Sequence, residues 1–155
     1  MKKLLLILTL SVSSFAFASA TTVEPVSQKI LQSFKTDFTT ANEVKWVAIE
    51  GGENLYQATF KYNNEEVIAI YNPEGELLGT ARYIVKEALP IMVTTELNKQ
   101  YGTYIVRTVI ERTANGETSY FVTLENEKSS LIVQARTSGN LSVYKKLAKP
   151  VFEKQ

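Results

Sequence analysis

Apolar and polar residues alternate along most of this chain, which is the period expected of half-buried β-strands. Short turn segments interrupt the alternation, and Asn115-Gly116 is the strongest hairpin signal among them. Asn and Gly suit such turns because they tolerate a positive φ angle. The pattern predicts two groups of four antiparallel strands, at 44–50, 55–62, 66–71 and 76–84 and then at 103–113, 118–125, 129–136 and 141–146.

Two segments instead carry apolar residues at the three-to-four spacing of an amphipathic helix. The first opens at Pro25, and the second covers about 87–101 with Leu89-Pro90 near its start. Proline suits the first helical position, where its missing N–H would have no partner anyway. One helix is therefore expected before each group of strands, with apolar stripes formed by Val26, Ile30, Leu31, Phe34 and Phe38 and by Val93, Leu97 and Tyr101.

The two groups of strands are related by a constant offset of 64 residues. Tyr56 recurs as Tyr120, and Gly75 recurs as Gly139. A duplicated unit produces such an offset, whereas unrelated strands would rarely keep it across several turns. The fold class expected is α+β, a tandem repeat of one helix plus a four-stranded antiparallel meander.

Strand alternation also assigns each side chain to a face of the sheet. The face beneath the helices should hold Trp46, Tyr56, Ala58, Phe60, Val67, Ala69, Tyr71, Leu77, Val106, Ile110, Tyr120, Val122, Leu124, Leu131, Val133 and Leu141. Arg82 and Glu111 fall on the opposite face, among many apolar residues. A simply solvated face carries less apolar surface than this. The candidate partner-binding face consists of Ile68, Ile70, Arg107, Val109, Phe121, Ile132, Arg136 and Tyr144.

A β-bulge offers the alternative explanation of this apolar stripe. One extra residue in a strand would shift the alternation and tuck these side chains into the core.

The beginning of the sequence predicts export. Lys2-Lys3, an apolar run at 4–10 and small residues at 11–20 make a signal peptide over 1–20, cleaved after Ala20 or, failing that, after Ala18. The apolar run is too short for the alternative, a membrane anchor. We therefore expect a periplasmic or secreted protein without stable membrane insertion. Residues 21–155 should form a single domain of two repeats, at about 25–84 and 88–148.

Composition excludes several kinds of chemistry. The chain contains neither cysteine nor histidine, so it lacks disulfides, thiol nucleophiles, the usual general base and the commonest metal ligand. Asp37 is the only aspartate, and no calcium loop or phosphate-binding loop is present. We expect no cofactor, no metal site and no catalytic residue. The pairs Glu65-Glu66 and Glu74-x-Glu76 could serve a carboxylate hydrolase, but both lie beside turns where solvated glutamate is ordinary.

The charge balance argues against a nucleic-acid partner. The chain has 17 basic and 16 acidic residues. Loss of Lys2 and Lys3 with the signal peptide changes the net charge from +1 to −1, which provides no electrostatic footprint for a polyanion.

Several stretches resemble the PepSY-like proteins, also described as β-lactamase-inhibitory-protein-like (BLIP-like), which are exported proteins of Bacteroidetes. The stretches are Phe38-x-x-Ala41-Asn42-x-Val44-x-Trp46, Tyr56-x-Ala58-x-Phe60, Gly75-x-Leu77-Leu78, Leu89-Pro90 and Tyr120-x-Val122-x-Leu124. The resemblance implies one curved antiparallel sheet with helices on one side. It also implies that the sheet face is used to grip an enzyme. This chain lacks the cysteines of the inhibitor that names the family, and no stretch matches that inhibitor's enzyme-gripping residues.

The leading hypothesis is an exported, non-enzymatic binding module that holds a protein or peptide partner on the sheet face. Inhibition of an envelope enzyme is one form that such binding takes. A self-associating structural protein of the envelope is the alternative, with the same face joining two copies. A small carboxylate hydrolase ranks third.

Overall fold

A computed structural model of the protein describes residues 26–49 and 54–147. Its helices are α1 (Gln28–Asp37) and α2 (Ile91–Tyr101), with a short 3-10 turn at Lys86–Ala88 before α2. The strands are β1 (Asn42–Ile49), β2 (Leu55–Tyr62), β3 (Glu65–Tyr71), β4 (Leu77–Ile84), β5 (Ile105–Ala114), β6 (Glu117–Glu125), β7 (Ser130–Arg136) and β8 (Leu141–Leu147). They form one antiparallel sheet of eight strands in chain order. The expected α+β class is confirmed, with both helices on one face.

The helix starts differ slightly from the sequence-based expectation. Ser27 caps α1, because its Oγ accepts a hydrogen bond from the Ile30 amide at 3.3 Å. Pro90 occupies the corresponding cap position of α2 with an extended ψ of 144°, so the helix begins at Ile91. Pro90 is therefore the last non-helical residue and not the first helical one.

Each helix covers its own hydrophobic cluster on the sheet. Beneath α1, Phe34 meets Trp46 and Phe60 edge to face, with ring centroids 5.3 and 4.9 Å apart. Such aromatic pairs add about 1 kcal/mol each beyond the area they bury. The α1 cluster contains Ile30, Phe34, Ala58, Phe60, Val67, Ala69 and Tyr71. The α2 cluster contains Leu89, Val93, Leu97, Val109, Tyr120, Val122, Leu124, Leu131, Val133 and Ala135.

A polar seam separates the two clusters on the helix-covered face. Arg82 faces Val67 in one neighbouring strand and Glu111 in the other. Its guanidinium contacts the Glu65 carboxylate at 2.6 Å and the Glu111 carboxylate at 2.8 Å. These hydrogen bonds raise the pKa of Arg82, with the bond to Glu111 the larger cause. The sequence-based placement of Arg82 and Glu111 on the opposite face is wrong.

The two halves share strand registers. Tyr56 faces Tyr71 in the first half, and Tyr120 faces Ala135 in the second, each position displaced by 64 residues. The turn glycines follow the same rule, since Gly75 lies against Lys29 and Ser33 of α1 while Gly139 lies against Met92 and Glu96 of α2. That the halves superpose residue by residue remains a prediction.

The offset is 63, and not 64, in the helices and in the first strand of each half. Phe34 of α1 corresponds to Leu97 of α2. On the same offset Trp46 corresponds to Val109, which belongs to the α2 cluster and is 2% exposed. Ile110, in contrast, faces Phe121 and points away from the helices. The placement of Val109 on the candidate partner-binding face is wrong, and so is the placement of Ile110 in the core.

A β-bulge explains this correction. The register of β5 against β6 shifts between Val106 and Thr108, so Arg107 is the extra residue. The bulge reverses the alternation for the rest of β5 and brings Val109 inward. The bulge alternative thus holds for β5, while Phe121 and Ile132 keep the face that alternation assigns to them.

Some predictions fall outside the described residues. They are the signal peptide over 1–20 and its cleavage after Ala20 or Ala18.

Candidate partner-binding face

The face of the sheet opposite α1 and α2, called the open face below, carries the candidate site. Both helices pack on the other face, through Ile30 and Phe34 and through Val93 and Leu97. Register places on the open face Val47, Gln57, Thr59, Lys61, Ile68, Ile70, Ala81, Tyr83, Ile110, Arg112, Ser119, Phe121, Thr123, Ile132, Gln134 and Arg136.

An aromatic pair is the main feature of the open face. Phe121 on β6 and Tyr144 on β8 meet edge to face across β7, with ring centroids 5.0 Å apart and planes at 81°. Tyr144 is an extra residue in a second bulge, since Ile132 faces Lys145 while Val133 faces Val143. This bulge turns the Tyr144 ring toward β6, and the residue remains 41% exposed. The pair presents aromatic surface that is held in place by strands on both sides.

Two arginines lie in one row across the sheet beside this pair. Ser119 on β6 faces Arg112 on β5 and Arg136 on β7. The arginine Cα atoms are therefore about 10 Å apart, two strand spacings. Ala81 is the other neighbour of Arg112 across the sheet, so small side chains flank Arg112 on both sides.

The electrostatics of the two arginines differ. Burial lowers the pKa of the Arg112 guanidinium, and the nearby Tyr144 hydroxyl partly offsets this effect. Arg136 is exposed. No salt bridge of Arg112 or Arg136 is found within residues 26–49 and 54–147.

Several of the sequence-predicted site residues come together. Phe121, Ile132 and Tyr144 lie on adjoining strands, and Arg136 is on the same strand as Ile132. Ile132 is only 5% exposed, so it forms part of the floor beneath the aromatic pair.

The other predicted residues lie elsewhere. Ile68 and Ile70 are on β3, about 15 Å from β6 across three strand spacings, and Ile70 is also 5% exposed. Arg107 pairs with Glu125 through an Nε–Oε2 contact of 2.7 Å near the start of β5. Val109 lies beneath α2.

Sequence reasoning missed Arg112 and Ile110 as residues of the open face. The offset of 64 was carried through β5, where the true offset is 63, and this reversed the faces of both residues. The available signal was the helix spacing, because Ile30 and Phe34 match Val93 and Leu97 only at 63.

Glu65 and Glu66 do not form a shared acid–base site. Glu65 belongs to the Arg82 seam, while Glu66 faces Lys61 on the open face, so the two side chains point to opposite sides. Glu76 accepts a hydrogen bond from the Asn72 amide at 2.7 Å within an exposed turn. In the part of the chain that the structure describes, no group of three or more acidic residues could hold a metal ion.

None of the helices in the described part of the chain has the length and apolar character needed to cross a membrane.

Comparison with solved structures identifies the same fold in proteins of Bacteroides. A BLIP-like protein from Bacteroides fragilis has 21% sequence identity and a TM-score of 0.71, over 86% of this chain and 95% of that chain. A DUF2874 family protein from Bacteroides ovatus has 17% identity and a TM-score of 0.68, over 80% and 88%. A Bacteroides eggerthii structure, provisionally described as that of periplasmic proteins, has 12% identity and a TM-score of 0.67, over 80% and 89%.

At these identities the comparisons concern the fold. No protein-family model matches the sequence, and no curated protein matches it. The resemblance to BLIP-like proteins of Bacteroidetes that the sequence motifs indicate nevertheless holds in three dimensions. The chain has the fold of the BLIP-like proteins.

Proposed function

We propose that this chain is an exported, non-enzymatic binding protein that holds a protein or peptide partner against its open face. Inhibition of an envelope enzyme is the form of binding that the BLIP-like fold favours, by analogy with the inhibitor for which that fold is described.

The observation that carries the proposal is the Phe121–Tyr144 pair beside Arg112 on a face that neither helix covers. Tyrosine and arginine are enriched among residues that dominate binding energies. Aromatic rings also offer a large contact area with few rotatable bonds, so little conformational entropy is lost on binding. Ile132 supports this surface from below, since it is almost fully buried although it points away from the helices.

Export is supported by the signal-peptide pattern at 1–20 and by the provisional description of the Bacteroides eggerthii structure. A non-enzymatic role is supported by the absence of cysteine and histidine from the sequence. It is also supported by the structure of Glu65 and Glu66, whose side chains alternate to opposite faces of the sheet.

The test is affinity capture from an envelope extract, with the parent protein and a Phe121→Ala/Tyr144→Ala double variant used in parallel. We expect the parent to retain a protein that the double variant does not retain. Light scattering of the purified parent should give the mass of a monomer. A dimer that the double variant loses would instead favour the self-associating alternative, and identical capture by both proteins would overturn the role of the open face.

A further inference from the structure

We propose that Arg112 and Arg136 form a carboxylate-binding subsite on the open face, which takes an aspartate or glutamate side chain from a bound protein segment. An apolar residue next to that acid would pack on Phe121 and Tyr144. This inference rests on the proposed function and specifies the chemistry of the partner.

The geometry of the row supports the subsite. Arg112 and Arg136 stand on either side of Ser119, at directly facing positions of three neighbouring strands. With Cα atoms about 10 Å apart, two arginine side chains can converge on one carboxylate placed above the serine. The guanidinium fork matches a carboxylate in shape, and the pairing is often bidentate.

Within the residues that the structure describes, the lack of a salt bridge distinguishes Arg112 and Arg136 from the other arginines. Arg82 has Glu65 and Glu111 as partners, and Arg107 has Glu125. Arg112 is more deeply placed than a typical surface cation, yet no carboxylate forms a salt bridge with it in the described ranges 26–49 and 54–147. A partly desolvated cation without a salt bridge gains more from an incoming anion than a fully solvated one does.

The surroundings favour an acidic protein segment over a polyanion. Register places Glu66 and Glu117 on the open face as well, each two residues along its strand from the row that contains Arg112, Ser119 and Arg136. These carboxylates would repel an extended phosphate backbone, whereas a single acidic side chain needs only the space between Arg112 and Arg136. The adjoining aromatic pair suits an apolar neighbour of that acid.

The experiment is selection of a displayed library of random peptides on the protein purified after export. One enriched peptide is then synthesised together with its Glu→Gln or Asp→Asn counterpart. Binding of both peptides is measured by fluorescence anisotropy to the parent and to Arg112→Gln, Arg136→Gln and Lys35→Gln. Lys35 is an exposed residue of α1 on the other side of the sheet, so Lys35→Gln controls for net charge. Urea denaturation verifies that each variant is folded.

We expect enriched peptides to carry an acid beside an apolar or aromatic residue. Either arginine substitution, or neutralisation of the acid in the peptide, should weaken binding about tenfold, and Lys35→Gln should not. The affinity should also fall when salt is raised from about 50 to 300 mM, because ions screen exposed charge pairs.

Two results separate the failure of this inference from the failure of the proposed function. Peptides that need Phe121 and Tyr144 but bind equally well to Arg112→Gln would overturn the carboxylate subsite alone. Peptides that bind the Phe121→Ala/Tyr144→Ala variant as well as they bind the parent would overturn the proposed function itself.

Discussion

The rings of Phe121 and Tyr144 meet edge to face above β7, and Gln134, on that strand, faces Phe121. The contact joins β6 to β8 across an intervening strand, and the bulge at Tyr144 makes it possible. The pair is therefore a structural element of the open face as well as its candidate anchor.

Truncation of this pair should separate binding from folding. Phe121→Ala and Tyr144→Ala should each weaken the binding of the captured partner by about 2 kcal/mol or more. The free energy of unfolding should fall by only about 1–2 kcal/mol, since neither ring is fully buried. Phe60→Ala is the matched core substitution, with a parent side chain 1% exposed, and should cost about 3–5 kcal/mol. Calorimetry and urea denaturation give the two quantities. Losses of stability as large as that of Phe60→Ala would contradict a binding role for the pair.

The bulge in β5 predicts unequal losses of stability when two adjacent residues are substituted. Val109→Ala should lower the free energy of unfolding by about 2 kcal/mol, because Val109 lies in the α2 cluster. Ile110→Ala should cost less, although it removes more carbon atoms, because Ile110 is partly exposed on the open face. Urea denaturation of both variants decides the order. A larger loss for Ile110→Ala would mean that β5 keeps a regular alternation.

The buried hydroxyl of Tyr71 should make stability fall at alkaline pH. Its Oη donates a hydrogen bond to Asp37 Oδ2 at 2.8 Å. Burial, with a further contribution from Asp37, raises the pKa of Tyr71 above its ordinary value. The folded state therefore holds this proton more tightly than the unfolded state. The resulting contribution to the free energy of unfolding is complete below about pH 10, the pKa of Tyr71 in the unfolded state. It is lost as the pH rises toward the pKa of Tyr71 in the folded state.

Tyr71→Phe tests this linkage. At neutral pH the variant should lose about 1–2 kcal/mol of stability with the hydrogen bond, but its stability should fall less steeply above about pH 10. Tyr83→Phe is the control, because Tyr83 is 44% exposed on the open face. Denaturation curves at several pH values give the slopes. Equal slopes for the parent and Tyr71→Phe would show that another group governs alkaline unfolding.

Two turn glycines provide a matched pair for the packing of α1. Gly75 and Gly116 have φ angles of +78° and +75°, so alanine is strained at both. A Cβ at Gly75 would lie 2.9 Å from Ser33 Oγ and 3.4 Å from the Lys29 carbonyl, whereas none of the described atoms is within 4 Å at Gly116. Gly116→Ala should lower the free energy of unfolding by about 1 kcal/mol. Gly75→Ala should lower it by about 1 kcal/mol more than Gly116→Ala does. Thermal denaturation compares them, and equal losses would mean that α1 moves aside without cost.

Most of the fold could be predicted because its determinants are local. Alternation, the Asn-Gly turn and the helical stripes each involve residues close in the chain, and they placed all eight strands within two residues of their observed bounds. The cap at Ser27 was missed because the proline signal at Pro25 suggested an earlier start.

The candidate site was predicted less completely because face assignment depends on every residue of a strand. One extra residue at Arg107 moved Val109 inward and brought Ile110 and Arg112 to the open face. A bulge leaves little trace in the apolar pattern, since β-branched residues stand on both sides of it. Phe121, Ile132 and Arg136 were found because β6 and β7 pair without interruption at these positions.

The strand order of the sheet also bears on how fast the protein folds. Each strand pairs only with the strands just before and after it in the chain, so no contact within the sheet requires the closure of a loop longer than the α2 connection. Proteins with such local contacts fold faster than β-sandwiches of similar length, whose strands pair across distant parts of the chain. The strand order therefore favours assembly hairpin by hairpin from either half, with little time spent exposing unpaired strand edges to neighbouring chains.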